Sequence, residues 1–383
     1  MRRLPLAWFV LLREPQRLLV AVAGIAFANL LMFMQLGFKG ALYFSASRLQ
    51  MQLQGELYVI HPYFETLISP QAFARDLVYR CRGDRDVVSC ETLDIAISPW
   101  RNPLTGRTRA ILVLGYAPEC PPLGDPETQK ASPRLHSLGT VLFDRRSRPE
   151  FGPIAELMAA GQPVTTELNR KHVEVADLFT LGASFVADGN VLTSHATFRR
   201  LLPDHNRRDT HLGLLRLRPG SDVAAVQERL QKLYRGEVLV VTRDQLGERE
   251  RAYWANATGI GFIFNLGVAI GFLVGVVIVY QILHGDIQDH LSQYATLKAM
   301  GYSDLYLMGV VAQEGLLLAM LGFGPGWLAS LGLYRVAQEA TSLPMLMSAQ
   351  RAGGVFVATV VMCLASALVA SRKLRTADPA DIF

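Results

Sequence analysis

The chain has 383 residues, half of them hydrophobic, and a mean hydropathy of +0.23, which excludes an ordinary soluble protein and leaves room for a membrane module plus a folded domain. Its formal net charge is +5, and much of the excess sits at the two ends: Arg2, Arg3, Arg13 and Arg17 against Glu14, and Arg372, Lys373 and Arg375 against Asp378 and Asp381. Both ends flank apolar runs, so a positive-inside bias accounts for the charge and no nucleic-acid partner is implied.

Residues 1–17 read as a cytoplasmic or interfacial amphipathic segment, because 4–12 is a short apolar stretch with a Trp between basic neighbours. Residues 18–38 carry no charge and predict a first transmembrane helix. The run is too long for a cleavable signal core and reads as a retained anchor. Phe38, Leu42, Leu49 and Leu53 then recur at helical spacing, so the helix is expected to run on as a stalk.

Residues 39–251 predict an extracytoplasmic stalk and α+β domain, inserted between the first and second transmembrane helices. Within it 56–60 reads as a strand, and Ser69-Pro70 as the cap and first position of a helix ending near Gly83. A second β-rich run covers 110–116. Residues 211–217, 221–234 and 238–242 form a β-α-β pattern, with Gly236 as the helix stop. The stretches 118–133 and 145–153 read as loop-rich, and one lobe or two remains open. Of the four cysteines, Cys81 and Cys90 pair if the domain faces an oxidising compartment, which leaves Cys120 over; unpaired thiols fit equally well. Cys363 lies in an apolar run and reads as a packing residue.

Residues 252–283 predict the second transmembrane helix, 284–304 a cytoplasmic coupling loop, 305–334 the third helix, 335–351 a short extracytoplasmic loop, 352–371 the fourth helix and 372–383 a cytoplasmic tail. The fold class is thus an α-helical membrane protein with four transmembrane helices plus the inserted domain. Four spans put both termini on one side, and their basic residues make that side cytoplasmic.

No enzyme motif stands out. There is no Walker A loop of the form GxxxxGK[ST], no HExxH and no GxSxG, so no bound cofactor or metal is expected. In the second helix Gly267, Gly271 and Gly275 share one face and predict close helix packing, with a dimer interface as one use. Glu314 in the third helix is costly in lipid. It reads equally as a hinge or coupling contact and as a carboxylate hydrogen-bonded near the cytoplasmic surface, and the sequence offers no second intramembrane acid for a proton relay. Gly324 and Pro325 predict a kink in the same helix. In the loop, Leu291, Tyr294, Ala295, Lys298 and Ala299 fall on one face of a short helix, Gly301 stops it and Ser303 caps the next. Such a helix lies on the membrane or docks in a groove of a cytoplasmic partner.

The run Tyr294-Ala295-Thr296-Leu297-Lys298-Ala299-Met300-Gly301-Tyr302 resembles the coupling segment of FtsX/MacB-type ABC transporter permeases. Ser147-Arg148-Pro149-Glu150-Phe151-Gly152-Pro153, Val279-Tyr280-Gln281-Ile282-Leu283 and the end from Arg372-Lys373-Leu374 through Ala377-Asp378-Pro379-Ala380-Asp381-Ile382-Phe383 resemble its DevC branch. The resemblance implies an exporter permease of the inner membrane, with Leu291, Tyr294, Leu297, Lys298, Met300, Gly301 and Tyr302 coupling to a separate DevA-like ATPase that uses the ATP. It also implies a DevB-like membrane fusion protein, a TolC-like outer-membrane channel, a homodimer paired through the first two helices, mechanical transmission of ATPase closure, and glycolipid as one cargo. Relatives within the same family leave two other roles open: FtsX-like signalling to a cell-wall hydrolase, and lipoprotein release.

Overall fold

A computed structural model describes residues 15–372 apart from 186, 258 and 342. Most of the expected interfacial segment and the tail from 373 onward lie outside the described residues. The chain divides into two compact units: Leu42–Thr258, and Met1–Ala41 together with Gly259–Phe383.

In chain order the helices and strands begin with α1 (Pro15–Ala46), α2 (Arg48–Gln52), β1 (Leu57–Ile60), β2 (Phe73–Ala74), α3 (Arg75–Arg80), β3 (Val87–Arg101) and β4 (Thr108–Tyr116). Then come α4 (Pro126–Ala131), β5 (Thr140–Asp144), α5 (Ile154–Ala159), β6 (Val164–Leu168), β7 (Lys171–Phe179), β8 (Asn190–Ser194) and α6 (His195–Leu201). The unit closes with β9 (Asp209–Thr210), β10 (Leu212–Leu217), α7 (Val223–Tyr234), β11 (Leu239–Thr242) and α8 (Arg243–Ala252). Four more helices follow: α9 (Ile260–Asp289), α10 (Leu291–Ala299), α11 (Asp304–Thr341) and α12 (Ala349–Ala370).

The Leu42–Thr258 unit is α+β. Its main sheet has nine strands in the order β11-β1-β10-β3-β4-β8-β5-β7-β6. β10 and β11 both run antiparallel to β1, which lies between them, so the expected β-α-β pattern is a split unit closed by α7. Asp222 caps α7, and Arg235 and Gly236 turn it off in the left-handed region at φ +48° and +91°.

β3 is 15 residues long and serves two lobes: its first half pairs with β10 and its second with β4. In the second lobe β6 returns to β3 at Trp100↔Leu168, around a core of Trp100, Val141, Phe143, Phe151 and Val175. The unit therefore has two lobes. Its strands β5 to β8 fall between 140 and 194, in the middle of the domain where the sequence pattern predicts no strand. β5 and β8 are buried at every position, so they lack the in–out alternation that marks a half-exposed strand.

The helix expected from Ser69-Pro70 starts later, at Arg75 after Ala74. Phe73 pairs with Thr210 and is buried, and the Arg75 guanidinium reaches Asp94 at 2.8 Å, so tertiary contacts override the local cap signal. The first long helix also breaks once. It stops at Ala46, Ser47 turns its hydroxyl back onto Tyr43 O at 2.8 Å, and α2 resumes. Cys81 and Cys90 are joined as a disulfide, and Cys120 is free.

Among the described residues four helices are long and apolar enough to cross a membrane: α1, α9, α11 and α12. In their unit, the Thr359 hydroxyl of α12 donates to Asn29 Oδ1 of α1 at 2.6 Å. At the other end of that contact, α1 passes two side chains through glycine gaps. A Cβ at Gly37 would sit 2.5 Å from the Tyr334 ring, and one at Gly40 would sit 2.2 Å from Arg351 Nη2. Tyr334 donates its hydroxyl to Phe33 O, and Arg351 donates to Leu346 O at 2.7 Å.

Candidate functional site

The long helix α9 runs past the expected span end at 283 to Asp289, and α11 begins at Asp304. Between them α10 occupies Leu291–Ala299, in the place where the sequence pattern puts a short helix. Gly301 takes φ +91°, a conformation a side chain would strain, and Ser303 Oγ accepts from Tyr306 N at 3.4 Å.

The face holding Leu291, Tyr294 and Ala295 turns inward. Tyr294 and Ala295 are buried, and Leu291 and Leu297 pack against the same apolar core as Ile287, Leu307 and Val311. Burial first, and then the Glu314 and Asp286 carboxyls, push the Tyr294 phenol above its ordinary range, so it stays neutral. Lys298 Nζ lies 3.2 Å from Asp304 Oδ1, a pair that closes the turn from α10 to α11.

The large apolar side chains left exposed are those of the C-terminal rim. Met300 is 63% exposed, Tyr302 44% and Leu305 78%. Tyr302 stacks near Tyr306, with ring centroids 4.9 Å apart. The apolar surface open to a partner is therefore the turn after the helix, not the stripe along it. Leu305, which the sequence reading assigned to the third span, belongs to this rim. Its position just after the Gly301 stop is the signal that could have placed it there.

Gly267, Gly271 and Gly275 face the first long helix. A Cβ at Gly267 would meet Gln35 at 2.5 Å, one at Gly271 would meet Leu31 and Met32 at 3.3 Å, and one at Gly275 would meet Met362 Sδ at 2.0 Å and Ala28 Cβ at 3.0 Å. The glycine face is thus filled within the chain, by α1 and α12.

The expected kink site is helical throughout, with Pro325 inside α11. Gly324 has no neighbour within 4 Å of its Cβ position. It stands directly before Pro325, where a Cβ crowds the proline ring in helical conformation, so glycine lets the helix run on. Gly322 and Gly326 pack on α1, with Cβ positions 2.5 Å from Ile25 Cγ2 and 2.9 Å from Ala26 O. Glu314 is buried within α11 at 3% exposure. Asp286, three residues beyond the charge-free run, is carried by α9 and not by the loop.

The Ser147–Pro153 motif holds a corner of the second lobe. Arg148 Nε is 2.8 Å from Asp188, Phe151 is buried with its carbonyl accepting from Trp100 Nε1 at 3.1 Å, and Gly152 takes φ +110°. The motif is structural in this fold. Among the described residues no group of three or more His, Cys, Asp or Glu is placed to hold a metal ion.

Residues 265–379 match the family model for the FtsX-like permease C-terminal domain. No curated protein matches the chain. Among solved structures, the periplasmic region of MacB from Actinobacillus actinomycetemcomitans aligns at 9% identity and TM-score 0.35, over 51% of this chain and 92% of that one. The extracellular domain of the ABC-type transporter YknZ from Gram-positive bacteria aligns at 12% identity and TM-score 0.33, over 49% and 99%. At such scores these likenesses decide nothing about the chain. The match that takes in most of α9 and all of α10, α11 and α12 does: residues 265–379, which hold three of the four candidate membrane spans among the described residues, form an FtsX-like permease C-terminal domain.

Proposed function

We propose that the chain is the permease subunit of an ATP-driven exporter of DevC and MacB type. The observation that carries this reading is α10, a short helix moored by its inner face whose rim offers Met300, Tyr302 and Leu305 to a partner. A separate DevA-like ATPase docks on that rim and supplies hydrolysis, in keeping with the missing Walker A loop. Two permeases pair as a homodimer in the inner membrane, with both termini cytoplasmic. The Leu42–Thr258 unit lies outside, where a Cys81–Cys90 disulfide persists. It passes the movement to a DevB-like membrane fusion protein and a TolC-like channel, and a glycolipid is the cargo class that branch suggests.

The test is affinity purification of the full chain from native membranes, wild type against Met300→Asp. Wild type brings down an ATP-binding subunit and a fusion protein, and the variant loses the ATPase while its helices stay folded. An ATPase recovered with a cell-wall hydrolase and no fusion protein replaces export by FtsX-like signalling. No ATPase with wild type refutes the docking role of the rim.

A further inference from the structure

The nine-stranded sheet of the Leu42–Thr258 unit ends differently on its two sides. β6 returns to β3 at Trp100↔Leu168, so that side folds back on the sheet. β11 has β1 on one flank and, among the described residues, no strand on the other. An edge strand presents a row of backbone N–H and C=O groups that another chain can pair with. The run 238–242 is Val-Leu-Val-Val-Thr, β-prone and without charge, the kind of sequence that adds to its own copies.

Three glutamines occupy the place of the next strand. Gln227 and Gln231 lie four apart on α7, hence on one face of it, and Gln245 lies in the first turn of α8. The Gln231 amide accepts from Val240 N at 2.9 Å and donates to Val238 O at 3.2 Å. A residue of a parallel strand laid beside Leu239 would make the same two bonds. Gln227 Nε2 donates to Val240 O at 2.8 Å and to Gln245 Oε1 at 2.7 Å, and Gln245 Oε1 also accepts from Thr242 N at 3.0 Å. Four backbone groups on the outer side of β11 are thus bonded to side-chain amides, the side-chain group nearest in chemistry to a peptide bond. An open groove of about 510 Å³ is lined by this edge and these amides, so an approaching chain has room to reach them.

We propose that Gln227, Gln231 and Gln245 form a surrogate strand that closes the β11 edge against β11 of a second copy of this chain. With the amides in place, an incoming strand must break the bonds they make before forming its own, and it gains little. With them removed, the same backbone groups face water in the groove and accept an extended chain. The device belongs to the sheet and needs neither an ATPase nor a fusion protein.

The test is binding of a fluorescent peptide of residues 237–243 to the full chain in lipid nanodiscs, followed by anisotropy. Gln227→Ala/Gln231→Ala, which puts good helix formers on α7, should bind the peptide about tenfold or more tighter than wild type. The same peptide carrying Val240→Pro and Val241→Pro lacks a ladder donor on each of its edges and should bind neither protein. Equal binding of the first peptide to wild type and variant, or binding to neither, overturns the proposal. Capture of the proline peptide by the variant overturns it too, because the contact would then run through side chains and not through the backbone. Hydrogen exchange at Tyr58 and Val241, which pair across β1 and β11, shows whether the edge still folds. If the alanine variant loses that protection, Gln227→Met/Gln231→Met, of similar length but without the amides, decides alone on the same two criteria.

Discussion

Replacing Gly326 by alanine should weaken the membrane unit, and replacing Gly332 should strengthen it. A Cβ at Gly326 would lie 2.9 Å from Ala26 O, 2.9 Å from Asn29 Cβ and 3.1 Å from Ala26 Cα. Two of these atoms are backbone, so no rotamer change relieves the contact, and α1 and α11 must part. Gly332, on the same helix, has nothing within 4 Å of its Cβ position. Both changes gain up to about 1 kcal/mol of helix propensity. Only Gly326→Ala adds overpacking, at about 1–3 kcal/mol. Parting the helices also stretches the Thr359–Asn29 bond, and bonds of this kind in membrane bundles contribute about 0.6 kcal/mol. The net expectation is a loss of about 1–2 kcal/mol for Gly326→Ala and a gain of about 0.5–1 kcal/mol for Gly332→Ala. Reversible unfolding of the purified chain in mixed micelles, followed by tryptophan fluorescence, reads both. Gly326→Ala as stable as wild type or more so would refute the close-approach argument.

Three further outcomes follow from named contacts. Tyr334→Phe removes the hydroxyl that donates to Phe33 O and should cost about 0.5–1 kcal/mol in the same assay, while Arg351→Ala should cost no more than that, since it donates to Leu346 O near the surface. Glu250 is buried and accepts from Thr66 Oγ1, Leu67 N and Trp254 Nε1, and burial pushes its carboxyl above the usual 4.5 against those three bonds. The folded domain thus holds that proton more tightly than the unfolded chain, so wild type should gain stability relative to Glu250→Gln as pH falls from neutral towards 4.5, and urea melts across that window check the sign. Maleimide should leave Cys81 and Cys90 unlabelled in unfolded, unreduced protein from native membranes and label both after reduction, and labelling before reduction would remove the disulfide from the argument for an outer location.

The parts of this chain that were legible in its sequence are those where one physical signal acts alone. Charge-free runs announce the long helices, because a membrane span needs little else. The β-α-β pattern from Leu212 to Thr242 is legible because α7 has a capped start, an apolar stripe and a left-handed stop. The second lobe is not legible, because β5 and β8 are covered on both faces and give no alternation. Helix ends also shift. Asp286 and Asp289 read as loop because they are charged, yet α9 carries them, one beside His290 and the other onto Arg17. At the site, the amphipathic pattern of α10 was visible, but a pattern does not say which surface an apolar face meets. Tyr294 and Ala295 meet the chain's own core, and the residues left for a partner are Met300, Tyr302 and Leu305, which no periodicity marks.

That division of α10 bears on how force would cross it in the proposed exporter. A helix free on all sides would swing when its partner moved, and the loop ends at His290 and Gly301 would absorb the stroke. α10 is instead fixed along its inner face by Leu291, Tyr294 and Leu297, at its start by the His290–Asp286 contacts and at its end by Lys298–Asp304. A load applied at Met300 and Leu305 therefore reaches α9 and α11 directly. Both helices bear on α1 through glycines, α9 at Gly271 and Gly275 and α11 at Gly322 and Gly326, where backbone or short side chains touch and little slack remains. Movement at the rim is then delivered to α1, whose helix continues to Ala46 without a break. Wedging that chain of contacts apart should separate docking from transmission. Phe or Leu at Gly275 should leave ATPase recovery at the rim intact while abolishing export. Loss of ATPase recovery in such a variant would show that the glycine face serves docking itself and would refute this order of transmission.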